Sequence, residues 1–140
     1  MAEEPLISKV FVSSTFIDLK EERNQVLEAI KYLQYKEIAM EYWGANPKEP
    51  IESCLNKVRK SNIFIGIIAH LYGNIVEKTG KSFTQMEYEE ALRLNLPCLI
   101  YFKNEDVEVL PSFVERNPDS IKKLDEFKRT LSKKHTIGFF

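Results

Sequence analysis

The chain has 140 residues, 44% of them hydrophobic, with 20 basic against 21 acidic side chains and a formal net charge of −1. That is enough apolar material for one globular domain spanning residues 1–140, and the even charge balance gives no support to a nucleic-acid binder, which normally shows a basic face. No apolar run nears the roughly 18–20 residues that span a bilayer, and the acidic start MAEEPLISKV is no signal peptide; the expectation is a cytoplasmic protein with neither nucleic acid nor membrane among its partners.

KVFVSS, Lys9 to Ser14, is a short β-branched and aromatic run that predicts a buried strand. FIDLKEERNQVLEAIKYL then changes period, with Leu19, Val26, Ile30 and Leu33 at helical spacing and Asp18 with Glu21 as a capping pair. KEIAMEYW predicts a second strand, GANPKEP a loop, and IESCLNKVRKS a helix with Ile51, Leu55 and Val58 on one face. NIFIGIIAH, the most apolar run, reads as a central strand buried on both faces. The polar segment LYGNIVEKTGKS reads as a loop. A helix opening on SFTQMEYEEAL follows, then the strand CLIYF, a helix through IKKLDEFKRTLSKK and a last strand in HTIGFF. Cys54 and Cys98 stand alone in apolar surroundings, which predicts small buried hydrophobes and no metal site.

This alternation of strand and helix predicts an α/β fold: a three-layer, flavodoxin-like parallel sheet of order 2-1-3-4-5 with helices on both faces. Ligands of such sheets bind beyond the carboxyl ends of the strands, at the point where the winding reverses. That singles out the loop Ser13, Ser14, Thr15, Phe16, the loop from Ala69 through His70 and Tyr72 to Gly73, and the helix start at Ser82. Familiar occupants of the fold are excluded there. No aspartate ends the first or third strand, as a phosphoacceptor receiver needs, and no glycine follows the first strand, as a dinucleotide fingerprint or a P-loop needs. SSTF offers hydroxyls but no glycine for a flavin phosphate loop. His70 near Ser14 lacks the elbow of a serine nucleophile, and a structural role for His70 is the simpler reading.

Three glutamates, Glu87, Glu89 and Glu90, crowd the start of the third helix. At ~100° per residue, Tyr88, Ala91, Leu92 and Leu94 share an apolar arc, Glu89 and Arg93 point the opposite way, and Glu90 lies off the arc. Glu87 falls inside it, in what the sequence places as the first turn, where the helix dipole favours a carboxylate. Thr84 with Glu87 has the form of a capping box, and Ser82 with Gln85 forms a competing one. Spacing leaves both roles open for Glu87, a cap or a carboxylate aimed at the crevice.

KVFVSST and SFTQMEYEEAL resemble the first strand and third helix of TIR domains, whose motif glutamate falls on Glu87, followed by Tyr88 and Ala91–Leu92; Thr84 and Gln85 replace the Trp-Cys pair of that motif. Nucleoside 2-deoxyribosyltransferases carry a similar glutamate four residues before an alanine. The whole chain is similar to an uncharacterised TIR-like family marked by VFVSSTFxDLxxER, PxxxCLxxVxxSxIFIGIIxxxYG and SFTxxEYxEAL, here Val10 to Arg23, Pro50 to Gly73 and Ser82 to Leu92. Its members are commonly N-terminal modules of larger proteins with a NACHT-type signalling NTPase, so the resemblance implies further C-terminal domains in a parent protein. It also implies cleavage of the nicotinamide–ribose bond of NAD or NADP, taken as substrate and not as a cofactor, in a self-associating signalling or defence module. In that reading Glu87 is catalytic. Ser13, Ser14, Thr15, His70, Gly73 and Ser82 surround the substrate, and Phe16, Trp43 and Tyr72 are its stacking rings. Two alternatives accompany it: a non-catalytic TIR-like interaction module, and a nucleoside or nucleotide glycosyl transferase using the same carboxylate.

Overall fold

Parallel pairing of five strands builds the central sheet. In the computed structural model, which describes residues 7–39 and 50–140, these are β1 (Lys9–Ser14), β2 (Lys36–Ile38), β3 (Ile63–Ile68), β6 (Cys98–Phe102) and β7 (Ile137–Phe139). They lie in the order β2-β1-β3-β6-β7. Counted along the sheet-forming strands alone, this is the expected 2-1-3-4-5 order. The winding reverses between β1 and β3, which pair with Ser13 opposite Gly66 and Ser14 opposite Ile67.

Alternation along the strands divides the core between two faces. Phe11, Phe64, Ile68, Ile100 and Phe102 turn to one side. There they meet α2 (Ile51–Arg59), α3 (Phe83–Arg93) and α4 (Pro118–Lys134) through Val58, Tyr88, Ala91, Leu124, Phe127 and Leu131. Phe11 and Phe64 stack with centroids 6.0 Å apart. Val10, Val12 and Ile67 turn to the other side and pack on α1 (Lys20–Tyr32) through Leu27 and Ile30. Each such side chain removed from water contributes roughly 1.5–3 kcal/mol. Beyond the reach of α1, Leu99 and Tyr101 of β6 remain exposed.

The structure corrects three local expectations. Helix α1 starts at Lys20, with Leu19 in the cap position and no side-chain cap bond. The Asp18–Glu21 capping pair therefore does not form; Asp18 is buried instead. The stripe that α1 buries is Leu19, Arg23, Leu27 and Ile30, whereas Leu33 is exposed. Finally, the segment read as a polar loop contains an antiparallel hairpin, β4 (Ile75–Val76) with β5 (Lys81–Ser82). Strands of two residues are too short to show alternation in sequence. Cys54 is buried and Cys98 half-buried, and neither is in a disulfide.

Candidate functional site

The cap of α3 decides what Glu87 is free to do. Ser82 is the cap: its extended backbone leads into the helix, and its hydroxyl accepts from the Gln85 backbone N–H at 3.1 Å. Thr84 lies inside the helix, so no Thr84–Glu87 box exists. Because the helix begins at Phe83, Glu87 opens its second turn, and the first turn holds no acidic residue; the dipole advantage expected for it is therefore small. As the helical arc predicts, Glu87 points inward and is 8% exposed, beside Thr84, Tyr88 and Ala91. Glu89 pairs with Lys81 at 2.7 Å, and Glu90 is held by Arg59 of α2 at 3.3 Å and by Arg93.

Glu87 reaches β1. The Ser13 hydroxyl, itself 1% exposed, donates to Glu87 Oε1 at 2.7 Å. Burial pushes the Glu87 carboxyl up to about 7, while the Ser13 bond and the Arg23 charge favour its anion and hold it from going higher. Arg23, 1% exposed, crosses from α1 to the end of β1 and donates to Ser14 Oγ at 2.7 Å and to the Val12 carbonyl at 3.5 Å. Ser14 in turn donates to the Thr15 carbonyl. The result is a buried polar network at the carboxyl end of β1, with a carboxyl poised to exchange its proton near neutral pH.

Sequence reasoning missed Arg23, to which it gave no role of its own. Two signals were available: Arg23 stands four residues before Leu27 and seven before Ile30, on the buried stripe, and it closes the VFVSSTFxDLxxER pattern.

The other expected site residues are only partly brought together. Gly73 approaches Thr15 closely. Its φ of +98° is a glycine conformation, and a Cβ there would stand 3.0 Å from Thr15 Cγ2 and 3.9 Å from Ser82 Cβ. Ser82 is fully buried and committed to the helix cap. Tyr72 is 2% exposed; its hydroxyl accepts from the Ser82 N–H at 3.1 Å and donates to Gln85 Oε1 at 2.5 Å. It ties the hairpin to α3 and presents no open face for stacking. Phe16 is exposed, with the Lys20 ammonium 5.4 Å from its ring centroid. His70 is half-buried; burial chiefly lowers its pKa, and the charges of Lys128, Glu105, Lys103 and Asp18 act on it in both directions. Trp43 lies outside the described residues. Thr15, Tyr72 and Thr84 line a space with no water-sized room, together with Ile67, Ile68, Leu71, Leu124 and Phe127. The crevice the fold predicts is closed at that point. Among the described residues no group of three or more His, Cys, Asp or Glu side chains is placed to hold a metal ion, and no helix is long and apolar enough to cross a membrane.

A family model described as "Domain of unknown function (DUF4062)" matches residues 9–140. The chain belongs to that family. Among curated proteins, mouse telomerase protein component 1 is 25% identical across 92% of this chain, which spans only 6% of that relative's length. Among solved structures, the TIR domains of the activated Roq1 resistosome, which directly recognises the pathogen effector XopQ, superpose with a TM-score of 0.52 at 15% identity, covering 91% of this chain and 75% of theirs. A prokaryotic SEFIR domain is similar at a TM-score of 0.49 and 15% identity, over 89% of this chain and 97% of its own. This DUF4062 domain has a TIR-like, flavodoxin-like fold.

Proposed function

We propose that this domain is a TIR-like effector module that hydrolyses the nicotinamide–ribose bond of NAD or NADP and is switched on by self-association. One observation carries the reading: Glu87, free of any capping duty, projects a carboxyl with a pKa of about 7 into the switch point of the sheet, where Ser13 and Arg23 favour its anion. In the reaction the glycosidic bond breaks with its electron pair going to the pyridinium nitrogen, so nicotinamide leaves neutral and needs no acid. The Glu87 carboxylate stabilises the positive charge that develops on the ribose and takes a proton from the attacking water, whose oxygen bonds to the anomeric carbon. The products are nicotinamide and the ADP-ribose moiety.

The closed packing at Thr15, Tyr72 and Thr84 supports the need for activation: the carboxyl must be uncovered before a ribose can reach it. The TIR domains to which this fold is similar belong to an assembled resistosome, which fits self-association as the trigger. Further C-terminal domains in a parent protein, a NACHT-type NTPase among them, fit a chain spanning 6% of its mouse relative, and a cytoplasmic signalling or defence setting fits the same picture. The buried state of Glu87 favours one second reading, a non-catalytic interaction module in which the Ser13–Glu87 pair only locks α3 to β1.

The deciding experiment incubates the domain with NAD and with NADP, as free protein and clustered on a multivalent scaffold, and follows nicotinamide release. Release on clustering, abolished by Glu87→Gln, is the expected result. No release in either state rejects the hydrolase reading in favour of the interaction module.

A further inference from the structure

β7 forms one edge of the sheet, and among the described residues β6 is its only strand neighbour. The pairing with β6 fixes which backbone groups are already used. The Phe140 N–H donates to the Phe102 carbonyl at 3.2 Å, and the Phe140 carbonyl accepts from the Asn104 N–H at 2.8 Å. Backbone groups alternate in direction along a strand. Gly138 therefore also turns to β6, while Ile137 and Phe139 aim their N–H and C=O groups outward.

Natural sheets guard such an edge with charge, proline or a covering element. Here the run TIGFF, Thr136 to Phe140, carries neither charge nor proline. Phe139 is 65% exposed, its ring edge-on to Phe102. On the opposite face of the sheet Leu99 and Tyr101 are exposed as well. The Tyr101 ring lies across Gly138, where a Cβ would stand 2.5 Å from it. The middle of the edge is thus bare backbone between two apolar side chains.

We propose that β7 is a docking edge for a second copy of this chain, the two strands pairing antiparallel about Gly138. The strand itself specifies that partner. A two-fold axis at Gly138 sets Ile137 opposite the partner's Phe139, and Phe139 opposite the partner's Ile137. These are the residues with outward groups, so each such pair exchanges both of its N–H···O bonds. Gly138 then meets the partner's Gly138 at the close spacing of about 4.5 Å between Cα atoms, which the missing side chains permit. Charge agrees with this arrangement. Lys133 and Lys134 precede the strand, whereas Glu105 and Asp106 follow Asn104, which is bonded to its far end. Antiparallel pairing carries the basic end of each copy towards the acidic end of the other. A strip this short buries far less than a standard interface, so the dimer is weak and forms when copies are gathered. It gives the self-association proposed above a surface and rests on that reading for its consequence, but no catalytic residue enters the pairing.

The test follows amide resonances and sedimentation of the domain across a dilution series reaching about 1 mM. A monomer–dimer equilibrium is expected, with concentration-dependent shifts centred on residues 136–140. Phe139→Pro deletes an outward N–H without touching the bonds to β6. It should weaken the dimer by about tenfold or more while the amide spectrum stays that of the fold. Thr136→Cys combined with Phe140→Cys sets a cysteine opposite a cysteine across the two-fold axis, and mild oxidation should trap a covalent dimer. Neither single variant should be trapped, nor should the wild type, which carries only Cys54 and Cys98. Glu87→Gln should dimerise as wild type does, so pairing and nicotinamide release are read separately. A monomer at every concentration, shifts confined to another surface, undiminished association of Phe139→Pro, or equal trapping of single and double variants would overturn the docking edge.

Discussion

Ser13 and Glu87, 74 residues apart in the chain, meet in a 2.7 Å hydrogen bond that joins the first strand to the third helix and favours the anion of a carboxyl that burial pushes up. Removing the donor by Ser13→Ala takes away the strongest influence favouring the Glu87 anion. The Glu87 side-chain carbon should then titrate above the wild-type value of about 7, and the inflection in any nicotinamide release should move to higher pH with it. A midpoint unchanged in the carbon-13 titration would show that the bond does not govern the carboxyl.

Stability should carry the signature of the same group. The Glu87 carboxyl goes from 4.5 in the unfolded chain to about 7 in the fold, so between those values the folded state keeps a proton that the unfolded state has lost. Its raised pKa thus penalises folding progressively as pH climbs from 4.5 to about 7, and not at all below 4.5. At about 1.36 kcal/mol per unit, the loss is on the order of 3 kcal/mol. Glu87→Gln lacks this dependence. Urea midpoints measured from pH 4 to 8 should show the wild type falling relative to the variant, and parallel curves would contradict the buried carboxyl.

Arg23 and Glu87 should be energetically coupled. Arg23→Met removes a buried guanidinium and strands Ser14 and the Val12 carbonyl, a loss expected at about 3 kcal/mol or more. In the Glu87→Gln background the same substitution should cost less, because the charge that Arg23 supports is gone. A double-mutant cycle by chemical denaturation at pH 8 should give a coupling of about 0.5–3 kcal/mol. A coupling indistinguishable from zero would separate Arg23 from the site.

The helix cap gives a contrasting prediction. Ser82→Ala should destabilise the domain by about 1 kcal/mol through the lost bond to Gln85, yet leave the titration of Glu87 where it is. If Glu87 moved to bond the helix start in this variant, its pKa would fall towards 4.5, and the separation of cap from site would fail.

Much of this was legible in the sequence, for identifiable reasons. The strands announce themselves as β-branched runs, and the order of the sheet follows from the alternation of elements. Glu87 was placed inward by helical angle alone, because Tyr88 and Ala91 fix the apolar arc. Spacing could not choose between Ser82 and Thr84 as the cap, since both offer a hydroxyl three residues before a suitable partner; the backbone made that choice. Arg23 and Asp18 were hidden for a different reason. Charge near a helix start reads as solvated surface or as a cap, and only tertiary packing shows that these two are drawn beneath it. Tyr72 misled in the opposite sense, for an aromatic at a strand end looks like a platform until its hydroxyl is seen binding Ser82 and Gln85.

The clamp on Glu90 gives α3 a mechanical character. Arg59 of α2 grips a carboxylate only three residues beyond Glu87, on the same rigid helix. The pair staples α2 to the helix that Ser82 caps at its other end, so the two helices are joined by charge as well as by packing.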